Sequence, residues 1–198
     1  MLDIVRDRGS DDAIYTFKWK GEEYLIDYSY DNVLRWFDLI AKPDLPEYVK
    51  VLHSFSMFIG DGLDVPVETQ SQVVQQISDS IAESPYDFSS GGKKVLDYSQ
   101  DSEAIYASFL KEYGIDLIDE KARLDYFKFR ALLSNLSDKA PIKEIMRIRS
   151  ENPAKYVQDN PEYANALVQQ QNDYAIKMTD EQREQERQNQ LDNALKGL

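Results

Sequence analysis

Apolar positions follow three regimes along the chain. Residues 13–28, AIYTFKWKGEEYLIDY, hold two short aromatic and β-branched runs on either side of Lys20-Gly21-Glu22. That pattern predicts a β-hairpin. From Asp31 the period becomes helical, with Val33, Trp36, Phe37 and Ile40 at i, i+3, i+4 and i+7 behind Asp31 as N-cap. Pro43 stops this helix, and Pro46 suits the first position of a second helix carrying Val49, Leu52, Phe55 and Phe58. That helix runs to about Ile59 and closes at Gly60-Asp61-Gly62. Thr69 and Gln72 have capping-box spacing and open a third helix with Val73, Val74, Ile77 and Ile81 inward.

SPYDFSSGGKK, residues 84–94, breaks the pattern with serine and glycine and is expected to be an exposed joint. Asp97 and Gln100 again have capping-box spacing, ahead of a stripe of Ile105, Tyr106, Phe109, Leu110 and Tyr113, with Gly114 as a C-cap. An Ile-Asp-Leu-Ile-Asp connector leads to a helix with Leu124, Phe127, Ala131 and Leu132 or Leu133 inward, and Pro141 starts another with Ile142, Ile145 and Met146. Asn152-Pro153 and Asn160-Pro161 are two N-cap-plus-proline starts. Tyr163, Leu167, Tyr174 and Met178 follow at spacings of 4, 7 and 4, one helical face. From Thr179 to Gln190 there is no aliphatic or aromatic residue, and Leu191, Leu195 and Leu198 restart a short stripe. Residues 153–178 are therefore expected to dock on the domain or on a partner copy, and 179–198 to project as a solvated helix, the alternative being a frayed tail with no role.

These elements predict a mainly α fold: a multi-helix domain with a small N-terminal β-hairpin and an extended C-terminal helical tail. The expected organisation is residues 1–83 (hairpin plus helices, with a loose stretch at 1–12), 84–96 (flexible linker), 97–152 (central helical region) and 153–198 (polar helical tail). At 198 residues and 42% hydrophobic, the chain can bury a core unaided. MLDIVRDRGSDD lacks a secretory apolar core and no run approaches a membrane span, so an intracellular protein is expected, in the cytoplasm of a host cell.

The net charge of −13 argues against nucleic acid and anionic membranes as partners. Its distribution is uneven: residues 1–90 hold 17 acids and 7 bases (net −10), whereas residues 121–149 hold 8 bases and 3 acids (net +5). Solvated helix faces account for such asymmetry. It also suits contacts between copies through opposite-sign patches, which as heterologous contacts would build rings or spirals weakened by salt.

No chemistry-bearing motif survives inspection. With no cysteine and one histidine, disulfides and the usual zinc sites are out of reach. SSGGKK lacks the first glycine, the hydroxyl after the lysine and the preceding buried strand of a phosphate-binding P-loop, and reads as linker. Gly60-Asp61-Gly62-Leu63-Asp64 lacks the further oxygens of a calcium loop. His53, among Leu52, Phe55 and Phe58, reads as a packed core or boundary residue. Asp116 with Asp119 and Glu22 with Glu23 have no surround that would split their pKa values for acid–base work. KARLDYFKFRALL reads as an amphipathic core helix, with Arg123 and Arg130 off its buried face. The expectation is a non-enzymatic protein with no catalytic residue, metal or cofactor.

Residues 97–149 resemble the tail assembly chaperone family of long-tailed phages and prophages of Gram-positive bacteria. The matching elements are Asp97, Asp101, Ile105, Tyr106, Phe109, Tyr113-Gly114-Ile115-Asp116-Leu117, Phe129-Arg130-Ala131-Leu132-Leu133 and Ile148-Arg149. Residues 24–40, YLIDYSYDNVLRWFDLI, are similar to that family too, so the resemblance covers roughly residues 13–150. Leu124-Asp125-Tyr126-Phe127 departs from it, standing where the family has a tryptophan-rich turn. The resemblance implies a chaperone encoded just ahead of the tape measure protein, which it coats and keeps soluble. It also implies recruitment of tail tube subunits, self-association, and absence from the mature virion. Tyr163, Leu167, Tyr174, Met178, Arg123 and Arg130 are the candidate partner-binding residues. A structural tail or connector component of the virion, or a small non-enzymatic interaction protein, is the alternative.

Overall fold

The computed structural model describes residues 5–6, 15–83, 88–90 and 93–178. The expected solvated helix 179–198, the remainder of the loose N-terminus, and residues 84–87 and 91–92 of the expected joint lie outside the described residues. The fold is mainly α, and the chain divides into two compact units, Met1–Tyr86 with Leu117–Ser134, and Asp87–Asp116 with Asn135–Leu198.

The first unit begins with β1 (Val5–Arg6), β2 (Tyr15–Trp19) and β3 (Glu22–Leu25), an antiparallel sheet in the order β1-β2-β3. Lys20 (φ 51°) and Gly21 (φ 91°) form the two-residue turn, with the positive φ at both positions that strand twist demands of so tight a hairpin. The hairpin is thus where the sequence places it, and Val5–Arg6 adds a third strand from a stretch expected to be loose.

Helices α1 (Tyr30–Ile40), α2 (Glu47–Ile59) and α3 (Val67–Ala82) follow. Prolines sit at the N-caps of α2 and α3, Pro46 and Pro66, so α3 starts ahead of the Thr69 box. Val33, Trp36, Phe55, Phe58, Val73, Ile77 and Ile81 are buried as expected. Ile40 and Leu52 are exposed, and their places are taken by Leu39 and Ser54. Ser54 is accommodated by bonding: its hydroxyl donates to the Lys50 carbonyl (2.7 Å) and accepts from Trp36 Nε1 (2.9 Å).

The first unit is completed from a distance in sequence. Tyr30 N–H donates to Leu124 O and Tyr126 N–H to Tyr28 O, both at 2.8 Å, a single antiparallel bridge. α5 (Tyr126–Ser134) starts there, its first turn capped by Asp125 Oδ1, which accepts from Phe127 N (2.9 Å) and Lys128 N (3.1 Å). The inward face differs from the expected one. Tyr126, Phe129, Arg130 and Leu133 are buried, whereas Leu124, Phe127 and Ala131 are half-buried. Arg130 was expected off that face and lies on it.

The second unit holds β4 (Ser89–Ser90) paired with β5 (Lys93–Lys94), then α4 (Ser102–Tyr113), α6 (Pro141–Ser150), a 3₁₀ turn at Pro153–Lys155, and α7 (Pro161–Asp173). Asp97 does accept from Gln100 N (2.9 Å), but it caps a turn that precedes α4. Gly114 ends α4 in the left-handed conformation (φ 67°), which a side chain would disfavour. Asn152 and Asn160 cap as expected, accepting from Ala154 N (3.0 Å) and Tyr163 N (3.1 Å). The core of this unit includes Ile105, Phe109, Ile142, Ile148, Ala164 and Leu167.

Candidate functional site

Among the described residues, no group of His, Asp and Glu side chains could hold a metal ion, and no helix is long and apolar enough to cross a membrane. His53 is exposed on α2 rather than packed. Tyr106 donates to Asp116 Oδ2 at 3.1 Å, so that carboxylate has a structural partner.

The first unit presents a cleft of about 510 Å³ where the end of β3 meets the end of α2, lined by Leu25, Ile26, Asp27, Met57, Phe58 and Ile59 among others. Its two walls are tied together. Asp27 N–H donates to Phe58 O (2.8 Å), and the buried Asn32 amide donates to both Asp27 O and Met57 O (2.9 Å each). Three hydrogen bonds across the cleft floor fix its width without any partner present. Leu25, on the rim, is 69% exposed. Farther along α2, Tyr48 (64%) and Leu52 (37%) stand one turn apart on one exposed face.

The candidate partner-binding residues do not form one stripe. α7 ends at Asp173, so Tyr174 is its C-cap and Met178 lies beyond it in a non-helical stretch. Tertiary hydrogen bonds replace the helical ones there: Arg149 Nε donates to Tyr174 O (2.7 Å), while the Gln100 amide donates to Ala175 O (3.0 Å) and accepts from Lys177 N (2.9 Å). Residues 153–178 thus dock within their own chain. Leu167 is fully buried. Tyr163 is half-buried, with its ring edge-on to Tyr156 at 4.8 Å and its hydroxyl bonded to Glu151 (3.3 Å). Tyr174 is exposed and Met178 half-buried.

Arg123 is exposed in the first unit. Arg130 is committed to the C-terminus of α3, donating to Ile81 O (2.7 Å) and Glu83 O (3.0 Å), with its guanidinium 5.4 Å from the centres of the Tyr126 and Phe127 rings.

The second unit carries a buried ion pair that was not foreseen. Arg149 meets Asp101 in a two-pronged contact, Nη1 to Oδ2 at 2.6 Å and Nη2 to Oδ1 at 2.8 Å, with both side chains 3% exposed. Arg149 Nη1 also donates to Val95 O (3.0 Å), and Asp101 Oδ2 accepts from Asp97 N (2.9 Å). Local periodicity gives no signal for a pair 48 residues apart.

Three exposed or half-exposed carboxylates in this unit titrate below their ordinary values. Burial pushes Asp97 up, but bonds from Gln100 N–H, the Lys94 ammonium and Ser99 N–H outweigh it. Glu112 is held down by the Ser137 hydroxyl and N–H, and Glu144 by the Arg147 guanidinium. In the first unit, burial pushes the Tyr28 hydroxyl up to about 12, against a weaker opposing bond with Ser80.

Among known protein families, the model described as Bacteriophage Gp15 protein matches residues 10–176. No curated protein and no solved structure matches the chain.

Proposed function

The chain belongs to the Bacteriophage Gp15 protein family, and from that premise we propose that it is a tail assembly chaperone, which binds and solubilises the tape measure protein and helps recruit tail tube subunits in the host cytoplasm. The family match over residues 10–176 carries this reading, because it spans the stretch of about residues 13–150 that resembles such chaperones. The surface chemistry is compatible. A chain of net charge −13 stays dispersed while Leu25, Tyr48 and Leu52 remain available to apolar partners. No catalytic role is assigned to any residue.

The test is co-expression with the cognate tape measure protein. That partner should move from pellet to supernatant when this protein is present. Unchanged solubility at equal expression overturns the reading. A structural tail or connector component is the other phage role, and mass spectrometry of purified virions separates the two: a chaperone is absent from the particle, a structural component is retained.

A further inference from the structure

β3 is the edge of its sheet. Trp19↔Glu22 closes the two-residue turn, and Ile26 N–H bonds Tyr15 O at 2.8 Å, so Glu22, Tyr24 and Ile26 direct their main-chain groups towards β2. Glu23 and Leu25 direct theirs outward, and among the described residues no backbone group pairs with them. Natural edges are commonly blunted by proline, a bulge, an overlying element, charged side chains or short length, and β3 is four residues long and includes Glu22 and Glu23. Here the outward positions are exposed, and Leu25 adds an apolar side chain at 69% exposure. The strand then runs into the cleft, whose cross-tied walls offer Ile26, Met57 and Ile59. Asp27 lines the cleft, its Oδ1 accepting from Ser29 N–H (2.9 Å), and Asp61, exposed and next in sequence to the lining residue Gly60, accepts from the Ser56 hydroxyl. The lysines of the hairpin, Lys18 and Lys20, lie towards the turn and are paired with Glu23 (3.8 Å) and Asp64 (3.3 Å).

We infer that the outer edge of β3 and the adjoining cleft bind an extended segment of a partner protein in which apolar and basic residues alternate. The segment adds as a fourth strand, bonding the main-chain groups of Glu23 and Leu25. Its apolar side chains pack on Leu25 and into the cleft, and its lysines or arginines meet Asp27 and Asp61. The inference rests on the chaperone reading only for which protein carries the segment.

The probe is a fluorescent peptide of alternating Lys and Val, about six residues long to match an average strand. A Glu/Val counterpart and a helix-forming Ala/Lys peptide of equal charge are the controls. The Lys/Val peptide should bind best and slow amide exchange at Glu23 and Leu25 by about tenfold or more. Leu25→Pro removes only an outward N–H, which an edge position tolerates, and should abolish binding while the melting temperature holds. If that variant fails to fold, Leu25→Lys decides, since it keeps every main-chain group but places a cation in the apolar contact. Equal binding by the folded variant, equal binding of the Ala/Lys peptide, or protection elsewhere overturns the inference. If wild-type protein solubilises the tape measure protein and the edge variants do so equally, this site is not the surface used, although the chaperone reading stands. If wild type does not solubilise it, the chaperone reading fails, while peptide protection at β3 would still establish the site.

Discussion

Among the described residues each unit buries one arginine, and the two are held by different means, Arg130 keeping its Nε–H without a hydrogen-bond partner. Arg130 in the first unit meets no carboxylate among the described residues; it rests on two helix-end carbonyls and two ring faces. Arg149 in the second meets a buried aspartate through two bonds and gathers two further carbonyls. A guanidinium needs only dipoles when aromatic surface surrounds it, because it is weakly hydrated and planar. A buried carboxylate has no such tolerance. Removing one partner from the second unit therefore strands a full charge in low dielectric. The surroundings match this difference. Tyr15, Phe17, Tyr28, Tyr30, Trp36, Phe55, Phe58, Tyr126 and Phe129 are all buried in the first unit. In the second unit Gln100, Gln171 and Arg149 bond the backbone through their side chains.

The contrast is most directly broken at Asp101. Asp101→Ala should cost about 3–5 kcal/mol, the usual penalty for orphaning one member of a buried pair. The loss should fall on the second unit, seen as faster amide exchange in α4, α6 and α7. Trp19 and Trp36 are the only tryptophans and both belong to the first unit, so their emission should hold. An emission shift tracking the exchange would show that the units do not respond separately.

Arg130→Met keeps the apolar stem against the rings but removes both donors. It should cost about 1–3 kcal/mol by leaving the Ile81 and Glu83 carbonyls short of a partner. Chemical denaturation followed by tryptophan emission measures it. A cost equal to that of Asp101→Ala would mean that dipoles and a counter-ion are equivalent here.

pH should separate the units in opposite directions. A pKa raised by folding favours the neutral Tyr28, so its contribution is complete below the ordinary value of 10.0 and is lost as pH rises towards about 12. Tyr28→Phe should flatten that alkaline loss in tryptophan emission. Asp97, Glu112 and Glu144 are lowered from 3.8, 4.5 and 4.5, so their contribution is present above those values and fades as pH falls below them. Acid should therefore accelerate exchange in α4 and α6, and a flat acid limb there would count against the assignment.

The smallest effect belongs to Gln100→Ala, which removes two exposed hydrogen bonds worth about 1 kcal/mol or less each. Amide exchange at Lys177 should quicken while the melting temperature barely moves. A large drop in melting temperature would make the 175–178 stretch part of the core of the second unit.

Local chemistry was legible in the sequence. Lys20-Gly21 made a tight hairpin because the turn needs positive φ. Gly114 ended α4 for the same reason, and Asn152-Pro153 and Asn160-Pro161 started their turns because Asn supplies a cap acceptor and Pro a ready φ. Val73, Ile77 and Ile81 were readable because no second apolar stripe competed on α3. On α5 two stripes overlap: the helical period fixes spacing but not phase, and packing against α1 chose Tyr126, Phe129, Arg130 and Leu133. Only the tertiary structure could pair Arg149 with Asp101, close the first unit with residues 117–134, end α7 at Asp173, or leave β3 as an open edge. Each depends on a contact between residues far apart in the chain, and periodicity carries information only over a turn or two.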